Sequence, residues 1–366
     1  MHAADHVGPG IARAVSGGEQ RAGVEVPHAG PHPTPSTGEH RIAFRGVIRT
    51  GAITLGPGDL ALLDAAGGDV TATAGTPGDV VRVAYPPRLA DAEALAARLD
   101  RNHPARLVAI GNGATLDVAK QAWRLGAAGP ALLLAPVGDE PWRAFAPFTS
   151  LYDPDGSRVS RPDPALGDAE VLLDAAALAR RPERVRHLHR ADSIVHAIEV
   201  LLSRRTQEWG RALAAAGLTA LGRDAPDDHL AGVVGAGLVT EAFASTGLGL
   251  AHAAASPLGA HAGRTHDAVN VLLAPHVVAY WGDRVDWRAV AGPLGTAPRA
   301  DAVTTRLTDL ADLAGVPRAL SAAGFSWEQV RAAVPAAMRS SGMPWLPAPV
   351  DEATLTELLR RAWAGQ

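Results

Sequence analysis

The order of the strand-like and helical segments constrains the fold of this chain more than any other feature of its sequence. Between residues 41 and 174, short apolar runs bounded by turns alternate with helical segments, such as the helix expected over residues 90–102. Short buried strands that alternate with helices are typical of an α/β domain with a mostly parallel sheet. From about residue 175 onward, Ala- and Leu-rich helical segments follow one another. The sequence therefore predicts an α/β, Rossmann-like nucleotide-binding domain at 41–174 and an all-α domain at 175–366.

Composition excludes several classes of partner. The 366 residues are 47% apolar and 20% charged, and the formal net charge is only -4. No block of basic residues occurs, so we expect no nucleic-acid partner. The longest apolar runs are about ten residues, which is too short for a membrane-spanning helix, and the chain does not start with a signal-peptide pattern. We therefore expect no membrane partner and a cytoplasmic location.

Residues 1–40 are rich in glycine, proline and histidine and have almost no apolar periodicity. This composition predicts a disordered extension, and loose metal binding by its histidines is the alternative. The chain has no cysteine, so any transition-metal site must use histidine and carboxylate ligands. Lys120 is the only lysine, which excludes sites that need several lysines.

Four residues have the types and spacing of a metal site. Asp192 and His196 are four residues apart in a segment with helical apolar spacing, so both side chains leave the same helix face. His252 and His266 flank a run of small residues farther along. Three imidazoles and one carboxylate suit zinc(II) or iron(II), whereas magnesium and calcium prefer oxygen ligands alone. Taken by itself, an Asp-x-x-x-His pair on a helix is more often structural.

A glycine turn follows one of the predicted strands. Gly111, Asn112 and Gly113 lie between the apolar run at 105–110 and the helix expected from residue 115. Unpaired backbone N–H groups and the helix dipole at such a junction suit a phosphate, and glycine lets the phosphate come close. A plain turn is the more frequent outcome for so short a pattern.

The segment from residue 249 to residue 276 resembles the signature of the iron-containing (group III) alcohol dehydrogenases. The matching residues are Gly249, Leu250, His252, Pro257, Leu258, Gly259, Ala260, His266, Asn270, Leu272, Leu273, Pro275 and His276. The helix of Asp192 and His196 also resembles the family's Asp-x-x-x-His-x-x-Glu, with Glu199 in the last place. The resemblance implies a dehydroquinate synthase-like fold in which Asp192, His196, His252 and His266 hold the metal.

The resemblance extends to the cofactor segment. Gly111, Gly113, Asp117 and Lys120 keep the family's glycine-rich pattern, which implies that Gly111, Asn112 and Gly113 lie along the pyrophosphate of NAD or NADP. Asp64 ends a predicted strand where the family often has an aspartate near the adenosine ribose, an arrangement that favours NAD. A plain turn aspartate is the alternative.

Apart from Asn112 and Ala114 in the glycine turn, two places depart from the family. Residues 136–153 read PVGDEPWRAFAPFTSLYD, where the family has a loop of threonines and glycines. Arg143 in this loop could clamp a pyrophosphate or a substrate carboxylate by paired hydrogen bonds, or it could face solvent. Ser256 stands where the family commonly has a second histidine, and His261 is the candidate to relay a proton in its place.

The resemblance implies a metal-dependent NAD(P) alcohol dehydrogenase or carbonyl reductase. Its expected substrate is a small alcohol or carbonyl compound, or a hydroxyl group on a larger metabolite or a peptide, and a homodimer is a further expected assembly. Two alternatives stay open. One is a non-catalytic scaffold that binds metal or nucleotide, and the other is a dehydroquinate-synthase-like sugar-phosphate cyclase, which the single lysine disfavours.

Overall fold

A six-stranded parallel sheet and a separate antiparallel pair contain the described strands of the chain. The strands are β1 (Ile48–Thr50), β2 (Asp59–Asp64), β3 (Asp79–Val83), β4 (Arg106–Gly111), β5 (Ala131–Pro136), β6 (Phe148–Tyr152), β7 (Arg158–Pro162) and β8 (Glu170–Leu173). The order in the parallel sheet is β1-β8-β5-β4-β2-β3, and β6 pairs with β7. This computed structural model describes residues 46–65, 75–127, 129–138, 140–155, 158–223, 228–259 and 266–366.

Helices dominate the described chain after β8. The helices are α1 (Leu89–Asn102), α2 (Gly113–Leu125), α3 (Ala175–Ala179), α4 (Glu183–Leu202), α5 (Glu208–Gly222), α6 (His229–Thr246), α7 (Leu250–Gly259), α8 (His266–Trp281), α9 (Arg288–Leu294), α10 (Ala300–Leu313), α11 (Trp327–Met338) and α12 (Glu352–Ala364). Short 3₁₀ turns lie at Pro141–Ala144, Pro164–Asp168, Gly282–Arg284 and Met343–Trp345.

The sheet is buried on both faces, which explains its continuous apolar strands. Alternate residues of β2 point to opposite faces, so Leu60 and Leu62 pack with α1 and α2, whereas Ala61 and Leu63 belong to a smaller cluster on the other face. A third and larger cluster of buried apolar residues holds together the helices from α4 through α12.

The strand order switches at β2, because the next two strands of the chain pair with opposite edges of this strand. From β2 the chain passes to β3 on one side, and β4 then pairs with the other side of β2, where Leu63 lies opposite Ile110. Asp64 and Gly111 therefore end neighbouring strands. In open parallel sheets, the crevice beyond the carboxyl ends of two such strands is the usual ligand site.

The α/β part followed by helices confirms the predicted fold class. Strand β6 differs from the expected mostly parallel arrangement, because it pairs antiparallel with β7 outside the parallel sheet. The sequence analysis missed β7 because Val159 is the only apolar residue other than proline in Arg158–Pro162. The extension at 1–40 lies outside the described residues, and the boundary at residue 174 stays a prediction.

No single described helix is long and apolar enough to cross a membrane. Helices α6 and α7 together reach the required length and composition, but they are bent by 96° relative to each other.

An ion pair joins the first residues of β2 and β4. We expect its contribution to the free energy of unfolding to depend on pH in the acidic range. Arg106 Nε lies 2.8 Å from Asp59 Oδ1, and this hydrogen bond holds the pKa of Asp59 below its ordinary value of 3.8. Its contribution is therefore complete above that value and is lost as the pH falls through the lower folded-state pKa. We expect Arg106→Met to reduce the free energy of unfolding in urea more at neutral pH than at about pH 3. An equal reduction at both pH values would contradict this expectation.

Candidate active site

Three helices bring the four predicted metal ligands together. Asp192 and His196 lie one turn apart on α4, His252 lies in the first turn of α7, and His266 is the first residue of α8. His196 Nε2 is 3.6 Å from Asp192 Oδ2, and His266 Nε2 is 3.2 Å from His252 Nδ1. The ring centroids of His196 and His252 are 5.5 Å apart, which joins the two pairs. Shared binding of one cation by all four stays a prediction.

The donor atoms of α4 fit a divalent cation. Asp192 Oδ2 and His196 Nε2 are buried and have no hydrogen-bond partner among the described residues, whereas Asp192 Oδ1 accepts a hydrogen bond of 2.7 Å from Asn270 Nδ2. Leaving such an atom unpaired costs about 1–3 kcal/mol, so exceptions need an explanation. Two ligands of a tetrahedral zinc ion lie roughly 3.3 Å apart, close to the spacing found here.

Burial also sets the protonation states that a cation needs. It lowers the pKa of His196 to about 3, with His266 as the second cause, so the ring is neutral and keeps a lone pair at neutral pH. Burial raises the pKa of Asp192 well above its usual range, and the neighbouring Asp267 raises it further. A bound cation would compensate the charge of this buried carboxylate.

Glu199 holds the start of the helix that carries His252. Its carboxylate accepts hydrogen bonds from the backbone N–H groups of Gly249, Ala251 and His252 at 2.8, 2.7 and 3.3 Å. Burial raises the pKa of Glu199 to about 7 against the effect of these three bonds. The sequence analysis assigned no role to Glu199, and the structure shows that it positions α7.

Asp267 is a member of this cluster that the sequence analysis missed. Donor atoms of Asp192, His266 and Asp267 lie within 4.8 Å of one another, which makes them a candidate metal-binding group in their own right. Asp267 Oδ1 is 3.2 Å from His266 Nδ1, and Asp267 Oδ2 is 3.7 Å from His189 Nε2. A carboxylate on Nδ1 of a histidine favours the tautomer whose Nε2 lone pair faces the metal. Its position directly after His266 was the available sequence signal.

The glycine turn lies at the switch point of the sheet, and Asp64 contacts it directly. The Asp64 carboxylate accepts hydrogen bonds from the backbone N–H of Asn112 at 3.2 Å and from the hydroxyl of Thr115. A Cβ atom on Gly111 would lie 2.3 Å from Asp64 Oδ1, so only glycine fits there. Asn112 caps α2 by accepting a hydrogen bond from Thr115 N–H. A ribose contact of Asp64 stays a prediction.

Lys120 fixes the loop that departs from the family pattern. Its Nζ is fully buried and donates to the carbonyl oxygens of Arg143, Ala146 and Phe148 at 2.8, 3.2 and 2.8 Å. Burial lowers the pKa of Lys120, whereas Asp117, whose Oδ1 lies 3.2 Å away, opposes that effect. The only lysine of the chain is therefore committed to structure.

Arg143 does not face solvent, which corrects one of the two expectations for this residue. It is 4% exposed, and its guanidinium donates to both carboxylate oxygens of Glu140 at 2.8 and 3.0 Å and to Asp117 Oδ2 at 2.7 Å. Although burial lowers the pKa of Arg143, the two carboxylates raise it above its ordinary value. Arg143 therefore carries a positive charge that its neighbours compensate. Clamping of a pyrophosphate stays a prediction.

One cleft joins the glycine turn to the predicted metal cluster. Its volume is about 590 Å³, and its lining includes Asn112, Gly113 and Arg143 on one side and His266 and Asp267 on the other. Of the four predicted metal ligands, His266 is the one that lines this cleft. The relay candidate His261 lies outside the described residues, and Ser256 is exposed on α7.

The position of Asp267 predicts that its charge supports metal binding. We expect Asp267→Asn to weaken binding of iron(II), zinc(II) or cobalt(II) by about 10- to 100-fold, since the amide can accept the His266 hydrogen bond but carries no charge. Isothermal titration calorimetry measures the affinity, and the visible spectrum of the cobalt form reports the ligand geometry. Asp283→Asn, at an exposed aspartate just after α8, is the matched control. Equal affinities and spectra for both variants would exclude this role.

The chain is similar to curated reductases over part of their length. It is 26% identical to the maleylacetate reductase of Rhizobium sp. over 58% of this chain and 61% of that protein. It is also 26% identical to the lactaldehyde reductase of Escherichia coli over 53% of this chain and 55% of that protein. The matches thus span only about three fifths of the first of these relatives.

The fold is also that of a solved reductase structure. The sulfoacetaldehyde reductase of Bifidobacterium kashiwanohense, solved in complex with NAD+, superposes with a TM-score of 0.74 at 17% identity, over 88% of this chain and 98% of that one. At this identity the likeness shows the fold alone. Residues 190–363 match the model of the Fe-containing alcohol dehydrogenase family, C-terminal. The matched segment carries all four predicted metal ligands.

Proposed function

We propose that this chain is an oxidoreductase that uses a divalent metal, iron(II) or zinc(II), and a nicotinamide dinucleotide to interconvert an alcohol and an aldehyde or ketone. The observation that carries the proposal is the pair of buried donor atoms on Asp192 and His196 that have no hydrogen-bond partner among the described residues. The cluster they belong to shares a cleft with a glycine turn at the switch point of a parallel sheet. These are the two sites that such a reaction requires.

The residues of the metal half have separate tasks in this proposal. Asp192, His196, His252 and His266 hold the cation, which when bound acts as a Lewis acid toward the oxygen of the substrate. Asn270 fixes the orientation of the Asp192 carboxylate through its hydrogen bond of 2.7 Å. Asp192, His196 and Asn270 are almost fully buried and His252 and His266 are partly buried, which limits the access of bulk water to the reacting centre.

The glycine turn and the start of α2 bind the dinucleotide in this proposal. The amino end of α2 carries partial positive charge, and Gly111 and Gly113 have no side chains of their own that would keep a phosphate from the turn, although the side chains of Asp64, Glu140 and Arg143 lie against these glycines in the described conformation. The Asp64 carboxylate repels an additional phosphate on the ribose, so NAD is the preferred cofactor over NADP. We also propose that the chain forms a homodimer and is located in the cytoplasm.

The substrate class follows from the relatives. The similar proteins are named for the reduction of lactaldehyde, maleylacetate and sulfoacetaldehyde, so a small aldehyde or ketone is the first substrate to test. A hydroxyl or carbonyl group on a larger metabolite or a peptide is the second class.

A non-catalytic scaffold is the alternative that a specific observation supports. The side chains of Glu140 and Arg143 lie against Gly113, where a cofactor phosphate would bind. A sugar-phosphate cyclase receives no such support, because Lys120 is buried and bound to three carbonyl oxygens, so it is not available to a phosphorylated sugar.

Loading the protein with iron(II) or zinc(II) and following NADH absorbance with a panel of small aldehydes and ketones tests the proposal. We expect His252→Ala to lower kcat/KM by at least about 100-fold, because it removes one predicted ligand of the cation. His103→Asn is the control, since this exposed histidine has a left-handed backbone (φ 44°) that asparagine tolerates. Circular dichroism checks that both variants are folded. Retained activity of His252→Ala would refute the assigned metal role, and metal binding without NADH binding would favour the scaffold.

A further inference from the structure

The loop that carries Glu140 and Arg143 occupies the space in front of Gly113. A Cβ atom on Gly113 would lie 2.4 Å from Arg143 Cδ and 2.8 Å from Glu140 Oε2. Glycine turns bind phosphate because the ligand can approach the bare backbone. Here the side chains of Arg143 and Glu140 occupy the space through which a phosphate would approach Gly113. The described conformation therefore does not fit a pyrophosphate at Gly113.

The ion-pair network beside Gly113 balances its own charges. Arg143 and Lys120 contribute two positive charges, and Glu140 and Asp117 contribute two negative charges. A pyrophosphate that enters this neutral group meets the Glu140 carboxylate beside the turn. Two anions in a poorly hydrated cleft repel each other strongly. The guanidinium of Arg143 can form its paired hydrogen bonds with a carboxylate or with a phosphate, and the same donors cannot serve both fully.

The side chain of Arg143 is anchored more firmly than the side chain of Glu140. The Arg143 guanidinium keeps a buried partner in Asp117, at 2.7 Å, and its carbonyl oxygen is bound by Lys120. The backbone of Glu140 is also held, since its carbonyl oxygen accepts a hydrogen bond from Arg143 N–H at 3.0 Å and its N–H donates to His189 Nε2 at 3.3 Å, but its side chain is 21% exposed. Its backbone is left-handed, with φ 52° and ψ 53°, which is unfavourable for a residue with a side chain. Glu140 is therefore the member of the pair that can leave.

We propose that Glu140 sets the affinity of the cleft for the dinucleotide by competing with its pyrophosphate for Arg143. In the described conformation the carboxylate holds the guanidinium and covers Gly113. When the dinucleotide binds, Glu140 swings away, and Arg143, still anchored by Asp117, exchanges the carboxylate for a phosphate oxygen. The inference rests on the proposed function, because it needs a dinucleotide on the glycine turn.

The test compares NADH binding to metal-loaded wild type, Glu140→Gln and Glu183→Gln, measured by NADH fluorescence. Glu183 is a glutamate on α4 whose side chain is 74% exposed, so its replacement controls for the loss of one negative charge. We expect Glu140→Gln to bind NADH about tenfold more tightly than wild type and Glu183→Gln to bind like wild type. The gain should extend to ADP, which has a pyrophosphate, but not to adenosine, which has none.

A double variant tests whether the gain depends on Arg143. Glu140→Gln combined with Arg143→Met, which keeps the length of the side chain without its charge, should lose the improvement. Thermal unfolding by circular dichroism shows which variants are folded, and Glu140→Ala replaces Glu140→Gln if the amide variant does not fold.

The outcomes separate this inference from the proposed function. If wild type binds NADH and Glu140→Gln binds it with equal or lower affinity, the competition is overturned, but the proposed function is not. Equal gains for ADP and adenosine would overturn it as well, because the phosphate would then not be the group that Glu140 excludes. No NADH binding by wild type, Glu140→Gln or Glu140→Ala would contradict the cofactor part of the proposed function together with the competition.

Discussion

A carboxylate buried completely inside the helical half of the chain is the constraint on which the candidate site depends. Asp192 is 0% exposed, and only one of its oxygens receives a hydrogen bond among the described residues, from Asn270. An uncompensated charge in such surroundings is costly, so the carboxyl group must either take up a proton or meet a cation. The neighbouring His196 is neutral and offers a lone pair at the same place. The packing of α4 against α8 thus creates a position that a cation would stabilise.

Local pattern was enough to predict the parts of the site that lie within one element. The spacing of Asp192 and His196 on a helix and the turn at Gly111 between a strand and a helix are set by the geometry of those elements, which the sequence encodes directly. The parallel order of β2, β4 and β5 likewise follows from their buried apolar runs. The antiparallel pair of β6 and β7 had no such signal, because Arg158–Pro162 lacks an apolar alternation.

Contacts between elements decided what the sequence could not predict. The only sequence signal for Asp267 was its position directly after His266, and its importance depends on His189 and Asp192 of α4, which lie beside it. Arg143 could have faced solvent or a ligand, and the deciding partners, Asp117 and Glu140, come from α2 and from its own loop. Glu199 acts through the backbone of a helix fifty residues away in the sequence. Each of these roles depends on tertiary placement.

The two halves of the cleft differ in the interactions that a ligand must form or break when it binds. In the metal half, Asp192 and His196 present buried donor atoms that have no hydrogen-bond partner among the described residues, so a cation adds interactions at these two atoms. The glycine-turn half presents a completed ion-pair network, so an anion must first break an existing interaction. Lys120 sharpens this difference, because its bonds to three carbonyl oxygens fix the loop from Arg143 to Phe148, so that the partly exposed Glu140 side chain is the member of the ion pair that can move. Metal affinity should therefore depend on donor geometry, whereas cofactor affinity should depend on how readily one carboxylate is displaced.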